Sequence, residues 1–322
     1  MPLPTRKDVA LVSPVLTDLS LGYKNETLLW EKIAPTKGVP LNVGTIPIYT
    51  RDYWFRRIAT AARGADGGYA RTGYGVSSDT YKTVEIGFEK SLDDSIGKAS
   101  QLGEDLQETD TAFLTTLMEL EFEKRVAAAC FVTSVWGTST TMQSASSPYQ
   151  WSDFDNSDPP QDVQTALRTI RRNTGSNTKF TMRLGPLVWE KLKEHPLLMD
   201  KIKHTQKGVL TEDLVASLLG LDELTVGYAI ENTAVEKAPG TASFTGADIW
   251  TDNVLILAEQ GQGQRSGFGA KTLIWEEDFS SPWVIETYRD DRVRSDITRI
   301  RSHLQIKIMS TQHGYIYLDC IA

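Results

Sequence analysis

The 322-residue chain has few of the residues from which catalytic and metal sites are usually built. It contains two cysteines, Cys130 and Cys320, and Cys130 lies in an Ala-rich apolar run that is typical of the core. None of the four histidines stands in an HExxH pair or beside a carboxylate at metal-ligand spacing. His195, which precedes a proline, is predicted to be structural. The sequence therefore predicts no catalytic residues, no cofactor and no metal, and so no enzyme.

Long apolar runs and an excess of basic residues are also missing. The longest apolar run, Val126 to Val132, is far too short to cross a bilayer, and the N-terminus carries no signal-peptide pattern. The formal net charge of -8 argues against general nucleic-acid binding, although it leaves room for a local basic patch. With 40% hydrophobic residues the chain has enough apolar surface for a large core. We expect a protein without a membrane segment, made in a reducing cytoplasm.

The segment GQGQRSGFG, from Gly261 to Gly269, is the nearest approach to a nucleotide-binding fingerprint. Its GxGxxxG spacing is one residue too long, and Ala270 to Trp275 has the pattern of a strand rather than of a phosphate-binding helix. The better interpretation is a loop at the tip of a hairpin. A nucleotide-dependent enzyme that uses this loop remains a distant alternative.

A two-stranded hairpin is predicted in the first third of the chain. Ile46 and Ile48 alternate with other residues at period two, and so does the stretch from Val84 to Phe88. Five glycines between Arg63 and Gly75 predict a flexible tip between these strands. An isolated hairpin is marginally stable in water, so this one needs a surface to lie on.

Residues 104–136 are predicted to form one long helix. Its apolar stripe recurs at spacings of seven, four and three residues and consists of Leu106, Phe113, Leu117, Leu120, Ala127 and Phe131. Glu121 and Arg125 have the spacing of a pair across one turn. At ~1.5 Å per residue the helix is roughly 40–50 Å long, which is more typical of elongated or shell proteins than of compact enzymes.

A second helix is marked at both ends. Asp158 is its predicted cap, the two prolines that follow suit the first turn, and Gly175 is placed to end it. Its predicted buried stripe consists of Val163, Leu167 and Ile170. Asp153 and Asp155 together with Asp158 suggest a calcium loop. However, the central glycine is missing and Gln164 stands where a bidentate Glu is needed, so capping is the better explanation of Asp158.

The second half of the chain is rich in predicted strands. Gly-Pro and His-Pro pairs divide residues 184–202 into short helices, and Thr211 and Gly220 bound a third helix. Strands are then expected over 222–230, 253–258 and 271–276, as one or two long strands from Val284 to Met309, and at the C-terminal GYIYLDCIA. The predicted class is α+β.

Charge is distributed unevenly and suggests contacts between copies of the chain. In residues 41–75, five arginines against two aspartates give +3, and in residues 76–124, four lysines against twelve acidic residues give -8. One hypothesis is that the hairpin of one copy lies on the acidic helix of the next, and the alternative is two solvated faces. The candidate inter-subunit contacts are Arg51, Arg56, Arg57, Arg63, Arg71, Glu119, Glu121, Glu123, Arg289, Asp291, Arg292, Arg294 and Asp296.

In their order along the chain, these features resemble the Hong Kong 97-type fold of tailed-phage major capsid proteins. The resemblance is carried by LGPLVWEKLKEHPLLMDKIKHTQKGVLTEDLVASLLGLDELTVGYA, from Leu184 to Ala229, which is similar to the A-domain of that family. The opening ALVSPVLTDLSLGYKN is typical of one branch of these proteins. The resemblance covers nearly the whole chain, by order and spacing rather than by any single diagnostic residue.

The resemblance implies a division of the chain into the parts of that fold. The expected ranges are an N-terminal arm over 1–40, an extended E-loop hairpin over 41–95, a P-domain over 96–180 with its spine helix at 104–136, an A-domain over 181–284, P-domain return strands over 285–309 and a C-terminal strand over 310–322. Some relatives join an E-loop lysine to a neighbour's asparagine, but this hairpin tip has no lysine, so that cross-link is not expected here.

The resemblance also implies a function. The chain is expected to be a major capsid protein of a tailed double-stranded DNA bacteriophage that assembles in the host cytoplasm into pentamers and hexamers of an icosahedral head. It would enclose DNA without sequence-specific binding and without a membrane. A separate scaffolding protein, a portal and a decoration protein are candidate partners. An encapsulin-like compartment shell is the main alternative, and no fused scaffolding domain or processed prosequence is expected.

Overall fold

A computed structural model describes residues 11–12, 28–49, 52, 55–57, 67, 69, 71–95, 103–144, 146–175, 179–202, 210–234, 244–259, 269–276 and 281–322. The predicted α+β class is confirmed: two mixed sheets each pack against helices. None of the helices in these ranges is both long enough and apolar enough to cross a bilayer.

The secondary structure comprises the following helices and strands. The helices are α1 (Trp30–Ile33), α2 (Gly103–Cys130), α3 (Pro159–Thr174), α4 (Pro186–Glu194), α5 (Pro196–Ile202) and α6 (Glu212–Leu219), with a 3-10 turn at Thr311–His313. The strands are β1 (Leu11–Val12), β2 (Thr36–Val39), β3 (Val43–Tyr49), β4 (Val76–Lys82), β5 (Val84–Asp93), β6 (Ser139–Thr141), β7 (Lys179–Leu184), β8 (Glu223–Val226), β9 (Ile230–Asn232), β10 (Gly246–Asp248), β11 (Val254–Glu259), β12 (Ala270–Trp275), β13 (Val284–Asp290), β14 (Ser295–Ile308) and β15 (Gly314–Leu318).

The first unit is a six-stranded sheet against the long helix α2. Its strand order is β1-β13-β14-β12-β2, and β5 pairs with the first two thirds of β14. Side chains alternate along these strands, so that Ile285 and its partner Ile300 face the same core. Helix α1 packs into this core through Trp30, whose ring centroid lies 4.9 Å from that of Phe122 on α2. Burial of these rings fixes the sheet on the helix.

The second unit is a five-stranded sheet with the order β6-β15-β11-β7-β8, covered by α3 to α6. Helix α3 follows its sequence prediction closely. The Asp158 carboxylate accepts a hydrogen bond from the Gln161 amide at 3.0 Å, and Gly175 ends the helix in the left-handed region at φ 66°. The predicted stripe of Val163, Leu167 and Ile170 is buried. The bounds of this helix were predictable from the local sequence because the residue that caps it and the residue that ends it both lie within the segment itself.

His195 separates α4 from α5 in a structural role, as its position before Pro196 suggested. Its Nδ1 atom accepts a hydrogen bond from the Leu197 amide at 3.3 Å, and its Nε2 atom lies 3.0 Å from the hydroxyl of Ser157. Burial lowers the pKa of this imidazole, partly opposed by the charge of Asp158, and so favours the neutral ring.

The long helix differs from its prediction in length and in orientation. It ends at Cys130 rather than at 136, because the Trp136 indole donates to the Cys130 carbonyl at 2.7 Å and takes the place of a further turn. Phe113, a member of the predicted stripe, is 51% exposed. The buried face instead contains Leu114, Met118, Phe122, Val126, Ala127 and Cys130 beside a polar row of Thr111, Thr115, Glu119 and Glu123. The buried face could not be recognised from the sequence pattern because polar residues form one of the two rows of side chains on it.

Two predicted strand pairings are wrong. The stretch from Val84 to Phe88 does not return along Ile46 and Ile48, because β4 does so, and β5 belongs to the large sheet beside β14. The segment from Gly261 to Gly269 does not join a hairpin either, because β11 and β12 lie in different sheets. Of that segment only Gly269 lies within the described residues. Period-two patterns identify strands but not their partners, which are set by long-range packing.

Glu123 on α2 joins three parts of the chain. Its Oε2 atom accepts hydrogen bonds from the amides of Leu29 and Trp30 at 3.0 and 2.8 Å, which caps the short helix α1 with a side chain from another element. Its Oε1 atom accepts the indole N–H of Trp250 at 2.6 Å. Burial raises the pKa of this carboxyl, while its three donors act in the opposite direction.

Lys32 and Arg183 make a second link, between α1 and the five-stranded sheet. The Glu223 carboxylate on β8 lies 3.3 Å from Lys32 Nζ and 3.1 Å from Arg183 Nη1. Burial alone would raise the pKa of Glu223, but Arg183, the Thr225 hydroxyl and Lys32 lower it to about 2. Helix α1 is therefore held to both units by carboxylates.

The first prediction compares two glutamates on α2. Glu123→Gln should lower the free energy of unfolding by about 1–3 kcal/mol, since the new amide N–H groups would face the donors of Leu29, Trp30 and Trp250. Glu121→Gln, which removes only the surface pair with Arg125, should stay within about 0.5 kcal/mol of wild type. Urea unfolding of the unassembled subunit measures both. Equal effects would contradict the capping role of Glu123.

The second prediction concerns acid. Because the pKa of Glu223 is lowered on folding from an unfolded value near 4.3, its contribution is present above about pH 5 and is lost as the pH falls towards 2. Glu223→Gln should cost about 1 kcal/mol at pH 7, a value reduced by the 42% exposure of the Glu223 side chain. Thermal unfolding from pH 7 to pH 2.5 should show the variant and wild type converging in acid. The exposed Glu190→Gln is the control, and parallel curves for Glu223→Gln would contradict the link.

Candidate assembly surfaces

One face of the hairpin of β3 and β4 is left open by the described residues of its own subunit. In register, Val43 pairs with Lys82 and Tyr49 with Val76, so alternate residues of the ribbon share a face. On the outer face Val43 is 57% and Val76 is 51% exposed, and Pro47 between them is exposed as well. A ribbon of two strands cannot bury both faces by itself, so this face is available for another molecule.

The inner face of the hairpin attaches to the body at its base. Tyr81 is buried in a small cluster with Val39 and Leu273, and Ile46 packs against it. Gly44 lies opposite Tyr81, and a Cβ atom placed on this glycine would lie 2.7 Å from the tyrosine hydroxyl oxygen. The glycine therefore lets the ring lie across the strand and reach the body.

Polar contacts complete this attachment. Lys307 Nζ lies 2.6 Å from Asp79 Oδ2 and donates to the Thr80 carbonyl at 3.1 Å. The Lys82 amide donates to Gln305 Oε1 at 2.8 Å. The hairpin is thus held at one end of β14 by a few polar contacts and one tyrosine, whereas the rest of the ribbon extends away from the core.

The predicted basic residues of the hairpin lie partly within the described structure. Arg56, Arg57 and Arg71 are exposed. Arg51 and Arg63 lie outside the described residues. The three arginines that can be placed are open to solvent, as an inter-subunit role requires.

The predicted acidic face of the long helix is corrected by the structure. Glu123 is fully buried and Glu119 is 3% exposed, so neither carboxylate is available to a neighbouring subunit. Glu121 forms the predicted pair with Arg125, with Nε 2.5 Å from Oε1. Since Lys124 and Arg125 are both exposed, the outer side of the C-terminal half of α2 is close to neutral. The hypothesis that a basic hairpin lies on an acidic helix therefore loses Glu119 and Glu123 as contacts and otherwise stays a prediction.

The late Arg/Asp-rich stretch forms the turn between β13 and β14. Arg289 makes a two-pronged contact with Asp94 at the end of β5, with Nη2 2.7 Å from Oδ2, and also lies 3.1 Å from Asp296. Arg294 occupies the left-handed region at φ 50°. Asp291 and Arg292 remain the most open, with side chains 94% and 90% exposed. The turn is therefore ordered by its own ion pairs and presents only its tip to other molecules.

Sequence reasoning missed a set of exposed apolar side chains on the second unit. They are Leu187, Leu197 and Met199 on α4 and α5, and Tyr228, Ile230 and Phe244 on and beside the ribbon of β9 and β10. Lys124 anchors this ribbon to α2 through Glu231, at 2.5 Å. Leu187 and Leu197 each directly follow the proline that begins a helix. This position in the sequence could have identified them as candidates for exposure.

The described residues contain no group of three or more His, Cys, Asp or Glu side chains placed to hold a metal ion. Burial raises the pKa of the Cys130 thiol to about 12, and Cys320 is shifted in the same direction. Both are thiols at neutral pH, which is the weakly nucleophilic form.

Comparisons with known proteins give a consistent result. The major capsid protein of Burkholderia phage BcepMu is 27% identical over 262 residues, which are 80% of this chain and 80% of that protein. A phage-related protein from Bordetella bronchiseptica RB50 superposes with a TM-score of 0.73 at 22% identity, covering 97% of this chain and 98% of the other. The capsid structure of cyanophage P-SCSP1u gives a TM-score of 0.64 at 12% identity, with 99% and 93% covered. No family model matches the chain.

These likenesses, together with two mixed sheets, a long helix and an extended hairpin, show the Hong Kong 97-like fold of phage capsid subunits. The predicted function, a phage major capsid protein, is confirmed.

The third prediction tests the attachment of the hairpin. Tyr81→Ala removes a buried ring from the cluster with Val39 and Leu273, and should cost about 2–4 kcal/mol of unfolding free energy. Amide exchange in β3 and β4 should become faster. Tyr74→Ala, which changes a 64% exposed tyrosine of the same segment, should stay within about 0.5 kcal/mol. If the two variants exchanged at the same rate, the attachment through Tyr81 would be wrong.

Proposed function

We propose that the chain builds the icosahedral head of a tailed phage by assembling into pentamers and hexamers around a double-stranded DNA genome. The observation that carries this proposal is the hairpin of β3 and β4, whose outer face exposes Val43, Pro47 and Val76 and is not covered by the described residues of its own subunit. Burying Val43, Pro47 and Val76 on a neighbour would stabilise both the ribbon and the contact. The proposed location is the virion, after assembly in the host cytoplasm.

The subunit has two well-packed cores and a weakly attached hairpin. This combination would let the same subunit fit into rings of five and of six. Each sheet has its own buried core, whereas the hairpin is held at its base by Tyr81 and a few polar contacts. Changes in the angle between subunits would then be taken up at the hairpin base, and the cores would move as rigid bodies. The turn at Asp291 and Arg292 and the apolar side chains of the second unit are proposed as further contacts.

The proposal includes partners that this chain does not supply. A scaffolding protein would set the size of the shell, a portal would occupy one vertex, and a decoration protein would strengthen the shell. We infer a structural role without enzymatic activity. Nothing on the described surface favours an encapsulin-like compartment over a head, so the contents of the shell distinguish them.

The fourth prediction is an assembly test. The chain expressed alone should elute as closed shells, or as free pentamers and hexamers, and electron microscopy should show them directly. Val43→Glu with Val76→Glu should abolish these species, because two charges would be buried at the contact, while the subunit keeps its fold. Val132→Glu, at an exposed valine outside the hairpin, should assemble normally.

Two outcomes would contradict the proposal. One is a wild-type monomer that forms no larger species even beside a candidate scaffolding protein, and the other is normal shells from the Val43→Glu/Val76→Glu variant. Shells isolated from phage-producing cells should contain DNA, whereas a packed protein cargo would favour the compartment.

A further inference from the structure

The chain beyond the hairpin of β3 and β4 returns to its own subunit at Gly175, where Phe55 lies against the glycine that ends α3. A Cβ atom placed on Gly175 would lie 2.5 Å from Cζ and 2.6 Å from Cε1 of the Phe55 ring, so the ring occupies the space that a side chain would need. The positive φ of 66° alone would also accept asparagine. The ring is therefore a second reason for glycine at this position.

This contact attaches the hairpin to its own subunit at both ends. The base is attached through Tyr81, which is buried in a small cluster, and through Lys307, which contacts Asp79 on β4. The far end meets the second unit through Phe55, on the cap of α3. A ribbon fixed at two points has one orientation, whereas a ribbon fixed only at its base can pivot.

The contact at the far end is weak and closes against a charge repulsion. The Phe55 side chain is still 61% exposed. Arg56 and Arg57 follow it directly, and Arg171 and Arg172 lie in the last turn of α3, all four of them exposed. Within the described part of the chain, none of these arginines forms an ion pair within 4.0 Å. Since like charges repel over a Debye length of about 10 Å at 0.1 M salt, the contact can be released at small cost.

We propose that the contact between Phe55 and Gly175 is an autoinhibitory clasp, which keeps the hairpin on its own subunit before assembly and opens when the hairpin moves to a neighbour. The inference rests on the proposed function, in which one subunit fits into rings of five and of six and the hairpin changes its angle at the base. Such a change requires a ribbon that is free at its far end. The clasp therefore belongs to the unassembled subunit.

A neighbouring subunit would open the clasp by binding the open form better than the closed form. Arg56 and Arg57 are candidate contacts with that neighbour, and a carboxylate there would attract them away from Arg171 and Arg172. The repulsion that opposes the clasp would be relieved in the same step. Capture of these two arginines and release of Phe55 are thus one event, which occurs only where a neighbour is present.

Two substitutions open the clasp from opposite sides. Phe55→Ala removes the ring, and Gly175→Asn is compatible with a left-handed cap while its side chain excludes the ring. Gly220→Asn is the matched control, because Gly220 is the left-handed cap of α6 at φ 75° and a Cβ atom there would meet only the end of the Gln164 side chain, at 3.3 Å. Circular dichroism and thermal unfolding check that all three variants keep the fold.

Trypsin cleavage after Arg57 in the unassembled subunit, followed by mass spectrometry, reports on the clasp itself, since proteolysis requires local opening. Phe55→Ala and Gly175→Asn should each be cut about 3- to 8-fold faster than wild type, because only the covered part of a ring that is 61% exposed is lost. Their combination should be cut no faster than either alone. Gly220→Asn should match wild type. Wild-type cleavage rates in both clasp variants would overturn the inference.

The critical concentration for assembly, measured by size-exclusion chromatography with electron microscopy, reports on the autoinhibition. Phe55→Ala and Gly175→Asn should assemble at a concentration lower by a similar factor, and Gly220→Asn at the wild-type concentration. Faster cleavage with an unchanged or higher critical concentration would overturn the inference and leave the capsid function intact, because shells still form. If neither wild type nor any variant forms larger species, the assembly proposal is contradicted and the clasp falls with it.

Discussion

A buried carboxylate, that of Glu123, is the interaction on which the arrangement of the subunit depends. Taking an ionised group out of water costs several kcal/mol unless donors replace the lost solvent. Here the amides of Leu29 and Trp30 at the start of α1 and the indole of Trp250, which lies between β10 and β11, replace it. Since all three donors must be in place together, Glu123 fixes α1 and the segment around Trp250 relative to the long helix α2.

The hairpin of β3 and β4, in contrast, is attached to the rest of the subunit only weakly. Its base combines one buried tyrosine with exposed ion pairs and hydrogen bonds, each of which contributes little in water. A part held in this way changes its angle at small cost, while the region around Glu123 does not. The same chain thus combines a rigid central region with a weakly attached hairpin, which is the combination that the proposed assembly into rings of five and six would use.

The sequence allowed the α+β class and the whole of α3 to be predicted. Helix α3 was predictable because Asp158, the prolines after it and Gly175 act within one segment. The sequence did not allow the end of α2 to be placed, since the Trp136 indole replaces a turn that local propensity would continue. The candidate inter-subunit contacts were likewise predicted only in part. Arg56 and Arg57 are exposed as expected, whereas Glu119 and Glu123 are buried. Nothing in the local sequence reveals that Glu123 binds backbone amides about 90 residues away.

The position of β15 has a consequence for the biosynthesis of the subunit. Residues 314–318 lie inside the five-stranded sheet, between β6 and β11, so β6 joins that sheet only through a strand that is translated more than 170 residues later. The Cys320 carbonyl then accepts the Trp151 amide at 2.7 Å and holds the segment before α3. A nascent chain still lacking these residues cannot close its second unit. The core of the second unit is therefore completed only after the last strand of the chain has left the ribosome.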